Sequence, residues 1–214
     1  LSSMLTFIKT NFLAIVLVIL FGLIFFFRLD YNTLASWDEA WYATISREIV
    51  RSGNYLDLTW NGTPYFDHPP LGFWLMAVSY TLIGINEFST RLPSAIAGIL
   101  SIIFLYKIGE LLFKSKLVGF ASSVILGTSV WYVIRVRSGN LDSLLVFFYI
   151  ATVYFAVKSS TNMRWFPITT FCFACLMLTK TLVGLPALFL IIILISFLLL
   201  FYHQIKGENI EKAL

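Results

Sequence analysis

The feature that most constrains this chain is a succession of apolar blocks: Phe12 to Phe27, Pro70 to Ile85, Leu92 to Tyr106 with a tail to Phe113, Leu117 to Ile134, Leu144 to Val157, Phe166 to Leu178, and Leu182 to Tyr202, seven in all. A helix rises about 1.5 Å per residue, so roughly 20 apolar residues cross a hydrocarbon layer of about 30 Å. Blocks of this length, repeated this often, exceed what one globular core has to bury. The composition agrees: 59% of the residues are hydrophobic and 12% charged, about half the charged fraction of a soluble domain. The expected fold is an all-α, polytopic transmembrane helix bundle spanning 1–214.

The net charge of +4 does not point to nucleic acid, because Lys and Arg flank apolar blocks singly and form no patch interleaved with stacking aromatics. Cys172 and Cys175 have the C-x-x-C spacing of redox and metal sites. They sit inside an apolar run without polar or His partners and read as two small buried hydrophobes. The first block follows Lys9 like a secretory signal but ends in Phe25-Phe26-Phe27-Arg28 with no small-residue cleavage site, so an uncleaved span is expected. The chain begins at Leu1 and ends soon after an apolar block, which suits a piece of a longer protein.

A polar loop from Arg28 to His68 separates the first two blocks. It carries Asp30, Asp38, Glu39, Glu48, Asp57 and Asp67, six of the eleven acidic residues. Loops of this length are uncommon unless they are functional. Ser36-Trp37-Asp38-Glu39 has capping-box spacing, and Trp41, Ile45 and Ile49, with Tyr42 beside them, continue as one apolar face up to Gly53. An amphipathic helix is expected there. Arg-Ser-Gly-Asn occurs at Arg51 to Asn54 and again at Arg137 to Asn140, in each case read as a glycine stop after a helix.

If all seven blocks crossed, Lys107, Lys114 and Lys116 would lie outside. Treating Pro70 to Ile85 as a juxtamembrane helix restores the positive-inside pattern: Lys9, the Lys107 group, Lys158 with Arg164, and Lys206 with Lys212 then share the cytoplasmic side. About six crossings result, and the acidic loop, Arg135 to Asp142 and Lys180 meet on the outer face. Arg135, Arg137 and Lys180 break the charge rule there, which makes them candidate functional groups.

Trp37-Asp38-Glu39-Ala40-Trp41-Tyr42-Ala43 and Tyr65-Phe66-Asp67-His68-Pro69-Pro70-Leu71 resemble the membrane glycosyltransferases related to lipid A aminoarabinose transferase and the protein O-mannosyltransferases. The similarity continues in the same order through Arg91-Leu92-Pro93-Ser94-Ala95, Gly139-Asn140-Leu141-Asp142 and Leu178-Thr179-Lys180. It implies a polytopic catalytic module at the N-terminus of a longer enzyme, with juxtamembrane helices in the 28–91 outer loop. It also implies inverting transfer of a sugar from a polyprenyl-phosphate donor to an extracytoplasmic lipid, glycan or protein, at a bacterial inner membrane.

Such transfer needs a base for the acceptor hydroxyl and cations for the departing phosphate. Asp38, in the first turn of a helix that keeps it ionised, is the expected base. Glu39 either orients the acceptor or completes the cap, and Asp142 occupies the family's second acidic position. His68, Arg135, Arg137 and Lys180 are the expected phosphate contacts, with Asp67 and Tyr42 beside the substrate. Some family members have Lys at the position of His68, which here makes that contact's charge depend on pH. An Asp-His pair is too few ligands to make a metal site by itself; no cofactor and no required metal are expected, which leaves a divalent metal as an open alternative. The competing readings are a transporter or channel component, which predicts paired repeats and interrupted helices at mid-membrane, and a non-catalytic membrane scaffold.

Overall fold

The computed structural model describes residues 2–35 and 37–180, together with 189, 193 and 196. The last apolar block, His203, Lys206 and Lys212 lie outside the described residues, as does Ser36. The described chain is mostly helical: α1 (Ser2–Phe26), α2 (Asp38–Ser52), α3 (Leu71–Ile83), α4 (Glu87–Phe113), α5 (Lys116–Thr128), α6 (Val130–Val136), α7 (Asp142–Thr161) and α8 (Phe166–Met177).

Two of these, α4 and α7, are long and apolar enough to cross a membrane, and α5 with α6 counts as a third if read as one span bent by 72°. The block read from sequence as a continuous helix, Leu117 to Ile134, is therefore broken. Ser129 leaves the helix in an extended conformation (φ −62°, ψ 120°), just after Gly127, where a Cβ would meet the Phe21 ring at 2.2 Å. Close packing of α1 at that glycine and the change of direction at Ser129 turn α6, and with it Arg135, toward the end of the bundle where α2 begins.

The α4 helix starts at a capping box in which the Asn86 side chain accepts from Ser89 N and Ser89 Oγ accepts from Asn86 N. Pro93 lies inside α4 and has no N–H to give back along the helix. The Ser89 carbonyl that this would have bonded instead accepts the Ser79 hydroxyl at 2.7 Å, which fastens α3 to α4. Lower down, Gly109 and Gly119 let α4 and α5 touch backbone to backbone: a Cβ on Gly109 would lie 2.4 Å from Gly119 Cα. Small residues are how membrane helices approach without a hydrophobic drive between them.

Two of the three apolar clusters among the described residues hold the helices around the loop between α1 and α3. Leu17, Phe21, Phe25, Ile102, Tyr106, Tyr132 and Val136 join α1, α4 and α6. Tyr42, Ile45, Ile49, Leu58, Tyr65, Phe73, Met76, Ala77, Tyr80 and Leu141 seat α2 on α3. Of the expected apolar face of α2, Ile45, Ile49 and the adjacent Tyr42 are buried and Trp41 packs partly buried against them, and Gly53 closes the helix in the left-handed region at φ 71°. The 13 residues of α3 reach about 20 Å, short of a hydrocarbon layer.

A two-stranded hairpin, absent from the all-α expectation, links α2 to α3. Thr59 pairs with Pro64 and Trp60 with Thr63 around Asn61-Gly62, both at positive φ, the Asn-Gly turn whose twist suits adjacent strands. The Glu48 carboxylate accepts the Thr59 hydroxyl and the Gly62 N–H, so an acidic residue of the loop is structural. Cys172 and Cys175 are buried and free.

Candidate active site

The site is assembled at the end of the bundle where α2, α4 and α7 begin and α1, α6 and α8 end. Asp38 and Glu39 open α2. Trp37, immediately before them, is 77% exposed and adopts φ 74°, ψ −129°, a region that L residues avoid and that gathers at functional sites. The helix begins without a side-chain cap bond. The expected capping box rests on Ser36, which lies outside the described residues; the Glu39 carboxylate accepts Ala35 N at 2.7 Å.

Glu39 is drawn inward. Its Oε1 takes Arg91 Nε at 2.7 Å and Gly139 N at 2.7 Å, and its Oε2 takes Arg91 Nη2 at 3.2 Å. Arg91 donates its remaining fork to the carbonyls of Leu29, Asn32 and Thr33. Burial pushes the Glu39 carboxyl upward, but the hydrogen bonds from Arg91, Gly139 and Ala35 outweigh it and hold the group below its ordinary value. One buried pair thus joins α2, α4, the loop before α2 and the loop before α7. Arg91 appeared in the sequence only as part of a motif. An Arg 52 residues from its partner carries no local signal.

The segment 137–142 is folded to serve this junction. Gly139 is not a helix stop: a Cβ there would meet Thr90 Cγ2 at 2.6 Å and Thr90 O at 3.2 Å, so only glycine lets its N–H reach Glu39. The Asn140 carbonyl accepts Ser94 Oγ at 2.8 Å, and the Asn140 side chain accepts Asp142 N at 2.9 Å, setting the start of α7.

Asp142 spends both carboxylate oxygens on cations. Oδ1 lies 2.6 Å from Lys180 Nζ and Oδ2 lies 3.3 Å from Arg135 Nε. Lys180 reaches this place because the chain leaving α8 is pinned to the start of α3, where Leu71 N donates to Leu178 O at 3.1 Å. Lys180 and His68 are then walls of one open cleft of about 1050 Å³, whose lining also includes Asp57, Tyr65, Asp67 and Pro70.

His68 is sandwiched between tyrosines. Tyr65 OH lies 2.8 Å from Nδ1 with the two rings stacked, and Tyr42 OH lies 3.5 Å from Nε2. A neutral imidazole matches this, one ring nitrogen giving and the other receiving a proton. Burial lowers the His68 pKa, and Lys180 lowers it further against the opposing pull of Asp67, Asp38 and Asp142. Burial likewise raises the phenols of Tyr42 and Tyr65, helped in both by the Asp38 charge. Tyr65 entered the sequence reading only as the first residue of the Tyr65-Phe66-Asp67-His68 motif, with no role assigned to it.

The structure therefore gathers Asp67, His68 and Lys180 in one cleft, sets Tyr42 against His68 and pairs Lys180 and Arg135 with Asp142, while Asp38 opens α2 beside Glu39. It does not bring in two of the residues expected with them. Glu39 is consumed by Arg91, and Arg137 turns away from the cleft to donate to the Ile24 and Phe27 carbonyls, the last acceptors of α1.

Known proteins resemble this chain in sequence and in fold. The profile of the family described as dolichyl-phosphate-mannose-protein mannosyltransferase matches residues 67–207. The undecaprenyl phosphate-alpha-4-amino-4-deoxy-L-arabinose arabinosyl transferase of Shewanella sediminis is 30% identical over 198 residues, 90% of this chain and 36% of that protein. The crystal structure of ArnT from Cupriavidus metallidurans in the apo state superposes with a TM-score of 0.72 at 25% identity, over 86% of this chain and 36% of that one. ArnT of the same organism bound to undecaprenyl phosphate gives 0.71 at 24% identity, over 93% and 37%, a likeness of fold. The chain spans about a quarter to a third of the length of the curated relatives it matches.

Proposed function

The chain belongs to the dolichyl-phosphate-mannose-protein mannosyltransferase family, and on that premise we propose that it is the N-terminal catalytic module of a membrane glycosyltransferase using a polyprenyl-phosphate sugar. The observation that carries this is the cleft in which Lys180, from the end of α8, and His68, from the loop before α3, face the same space, with Lys180 held 2.6 Å from Asp142. Three segments distant in sequence converge on one place suited to a phosphate at the membrane surface. Relatives whose names specify undecaprenyl phosphate donors, and an ArnT structure with undecaprenyl phosphate bound, support the same donor class.

In this reading Asp38 takes the proton of the acceptor hydroxyl as its oxygen attacks the anomeric carbon from the face opposite the phosphate. The bond between that carbon and the phosphate oxygen breaks, and its electron pair leaves with the lipid phosphate. Lys180 and Arg135, aimed by Asp142, and His68, which takes a proton from solvent as the anionic donor binds beside it, stabilise the charge that develops as the phosphodiester becomes a lipid phosphate monoester. Asp142 acts by positioning those cations, and Glu39 by positioning Asp38. Asp67 and Tyr42 bind the sugar. The short α3 stays on the membrane surface, about six helices cross, and the site faces the extracytoplasmic side of a bacterial inner membrane, where the acceptor lies.

The test is release of free polyprenyl phosphate by the full-length protein from a panel of lipid-linked sugars in proteoliposomes. Release that requires Lys180, with Lys180→Gln reducing it at least tenfold, supports the reading. No release from any lipid-linked sugar, with the protein folded, refutes it.

A further inference from the structure

A second pocket, of about 450 Å³, shares no lining residue with the donor cleft; it is walled by Arg28, Arg91 and Arg137 together with Phe27, Tyr31 and Glu39. Glu39 is the one carboxylate in that lining, and Arg91 already engages it through both oxygens. The remaining balance is two positive charges, Arg28 and Arg137, neither of which has an ion-pair partner among the described residues.

Both guanidiniums keep donors in reserve. Arg137 gives one N–H from each terminal nitrogen to the Ile24 and Phe27 carbonyls, which leaves three of its five. Arg28 lies 3.5 Å over the Tyr31 ring. Stacking uses the face of the guanidinium and leaves its in-plane donors available. The backbone of Arg28 sits at φ 49°, a left-handed position at the end of a helix where glycine is the usual residue. An arginine there places a cation at the pocket that the helix stop itself does not need. The pocket is edged by Phe27 and Tyr31, 68% and 65% exposed, apolar surfaces of the kind that sit at a membrane interface.

We propose that this pocket is a second anion site, separate from the donor cleft, which takes a phosphate group carried on a lipid headgroup. Cations at a bilayer surface attract such headgroups, and two convergent guanidiniums suit a phosphate better than a single ammonium does. Arg137 serves two ends: it caps α1, and through that cap it is held rigidly at the pocket.

The experiment is native mass spectrometry of the purified full-length protein titrated with phosphatidic acid, phosphatidylcholine, inorganic phosphate and undecaprenyl phosphate. Wild type is expected to bind phosphatidic acid in preference to phosphatidylcholine. Arg28→Gln should weaken phosphatidic acid roughly tenfold, the loss of one or two charge-assisted hydrogen bonds, with undecaprenyl phosphate unchanged. Arg28→Gly, which favours the left-handed backbone, should show the same loss in a protein whose fold is not in question. Phosphatidic acid binding unchanged in both variants overturns the proposal. So does binding lost in Lys180→Gln instead, which would place that lipid in the donor cleft. Displacement by inorganic phosphate at equal concentration overturns the lipid-borne source. If undecaprenyl phosphate fails to bind while phosphatidic acid binding still depends on Arg28, the donor reading fails and this site stands.

Discussion

Glu39 and Arg91 form a two-pronged buried pair, with side-chain exposures of 5% and 7%, between the first turn of α2 and the interior of α4. Through it the residue next to the proposed base is tied to the bundle core. A buried pair adds little net stability compared with an apolar replacement, but removing one partner strands the other. Arg91→Ala is expected to destabilise the protein by about 3–5 kcal/mol, read from denaturation in detergent. Arg91→Leu combined with Glu39→Leu should recover part of that stability while leaving transfer impaired, because Asp38 would lose its anchor. Recovery of both together would remove the positioning role.

The two Arg-Ser-Gly-Asn segments should respond differently to a methyl group. Gly53 has φ 71° and open space around its Cβ position, whereas Gly139 has Thr90 against it. Gly53→Ala should cost about 1 kcal/mol through backbone strain alone and leave activity intact. Gly139→Ala should cost about 1–3 kcal/mol by overpacking and lower activity as well, since Gly139 N–H is pushed from Glu39. Equal activities in the two variants would contradict this assignment.

That pair shows how far the sequence could be read. Periodicity and composition revealed the helical bundle and the buried face of α2, because lipid and local packing impose patterns a few residues long. Lys180 and Arg135 stood out as charges out of place near lipid, whereas Asp38, Asp67, His68 and Asp142 were singled out through the motifs that carry the family resemblance. What escaped depends on distant partners. Glu39 reads locally as a capping residue and Arg137 as a phosphate ligand, until Arg91 and the end of α1 are seen to take them. The break at Ser129 was hidden because its cause, Phe21 packing on Gly127, lies more than a hundred residues away. The hairpin was different: Asn61-Gly62 carried its signal locally, and two-residue strands were too short to show alternation.

Donor binding should depend on pH through His68. Its folded pKa lies below the ordinary 6.5, so the free protein holds it neutral at pH 7. The sign is fixed: the preference for neutral His68 contributes stability above pH 6.5, and that contribution is lost as the pH falls through the lowered folded value. A bound phosphate pulls the other way and favours the imidazolium. Undecaprenyl phosphate binding is therefore expected to take up a proton and to tighten between pH 7.5 and 6, by calorimetry in buffers of different ionisation enthalpy. His68→Gln should flatten that dependence. An unchanged pH profile in His68→Gln would show that the contact is not through this ring.

Cysteines placed at Asn61 and at Lys114 report sidedness. An impermeant thiol reagent applied from outside is expected to label Asn61→Cys and to spare Lys114→Cys until the membrane is opened. Labelling of both from outside would put the lysines between α4 and α5 on the same face as the hairpin and contradict the proposed crossing pattern.

The central claim is that Asp38 accepts the acceptor's proton while the Lys180 and His68 cleft holds the donor phosphate. Single-turnover transfer from a saturating lipid-linked sugar, measured in full-length wild type and Asp38→Asn beside undecaprenyl phosphate affinity, separates these roles most directly. The account predicts a fall in transfer of roughly 100-fold or more with the lipid affinity unchanged, since loss of the base is felt in the transition state. Transfer by Asp38→Asn at a rate near wild type would contradict it.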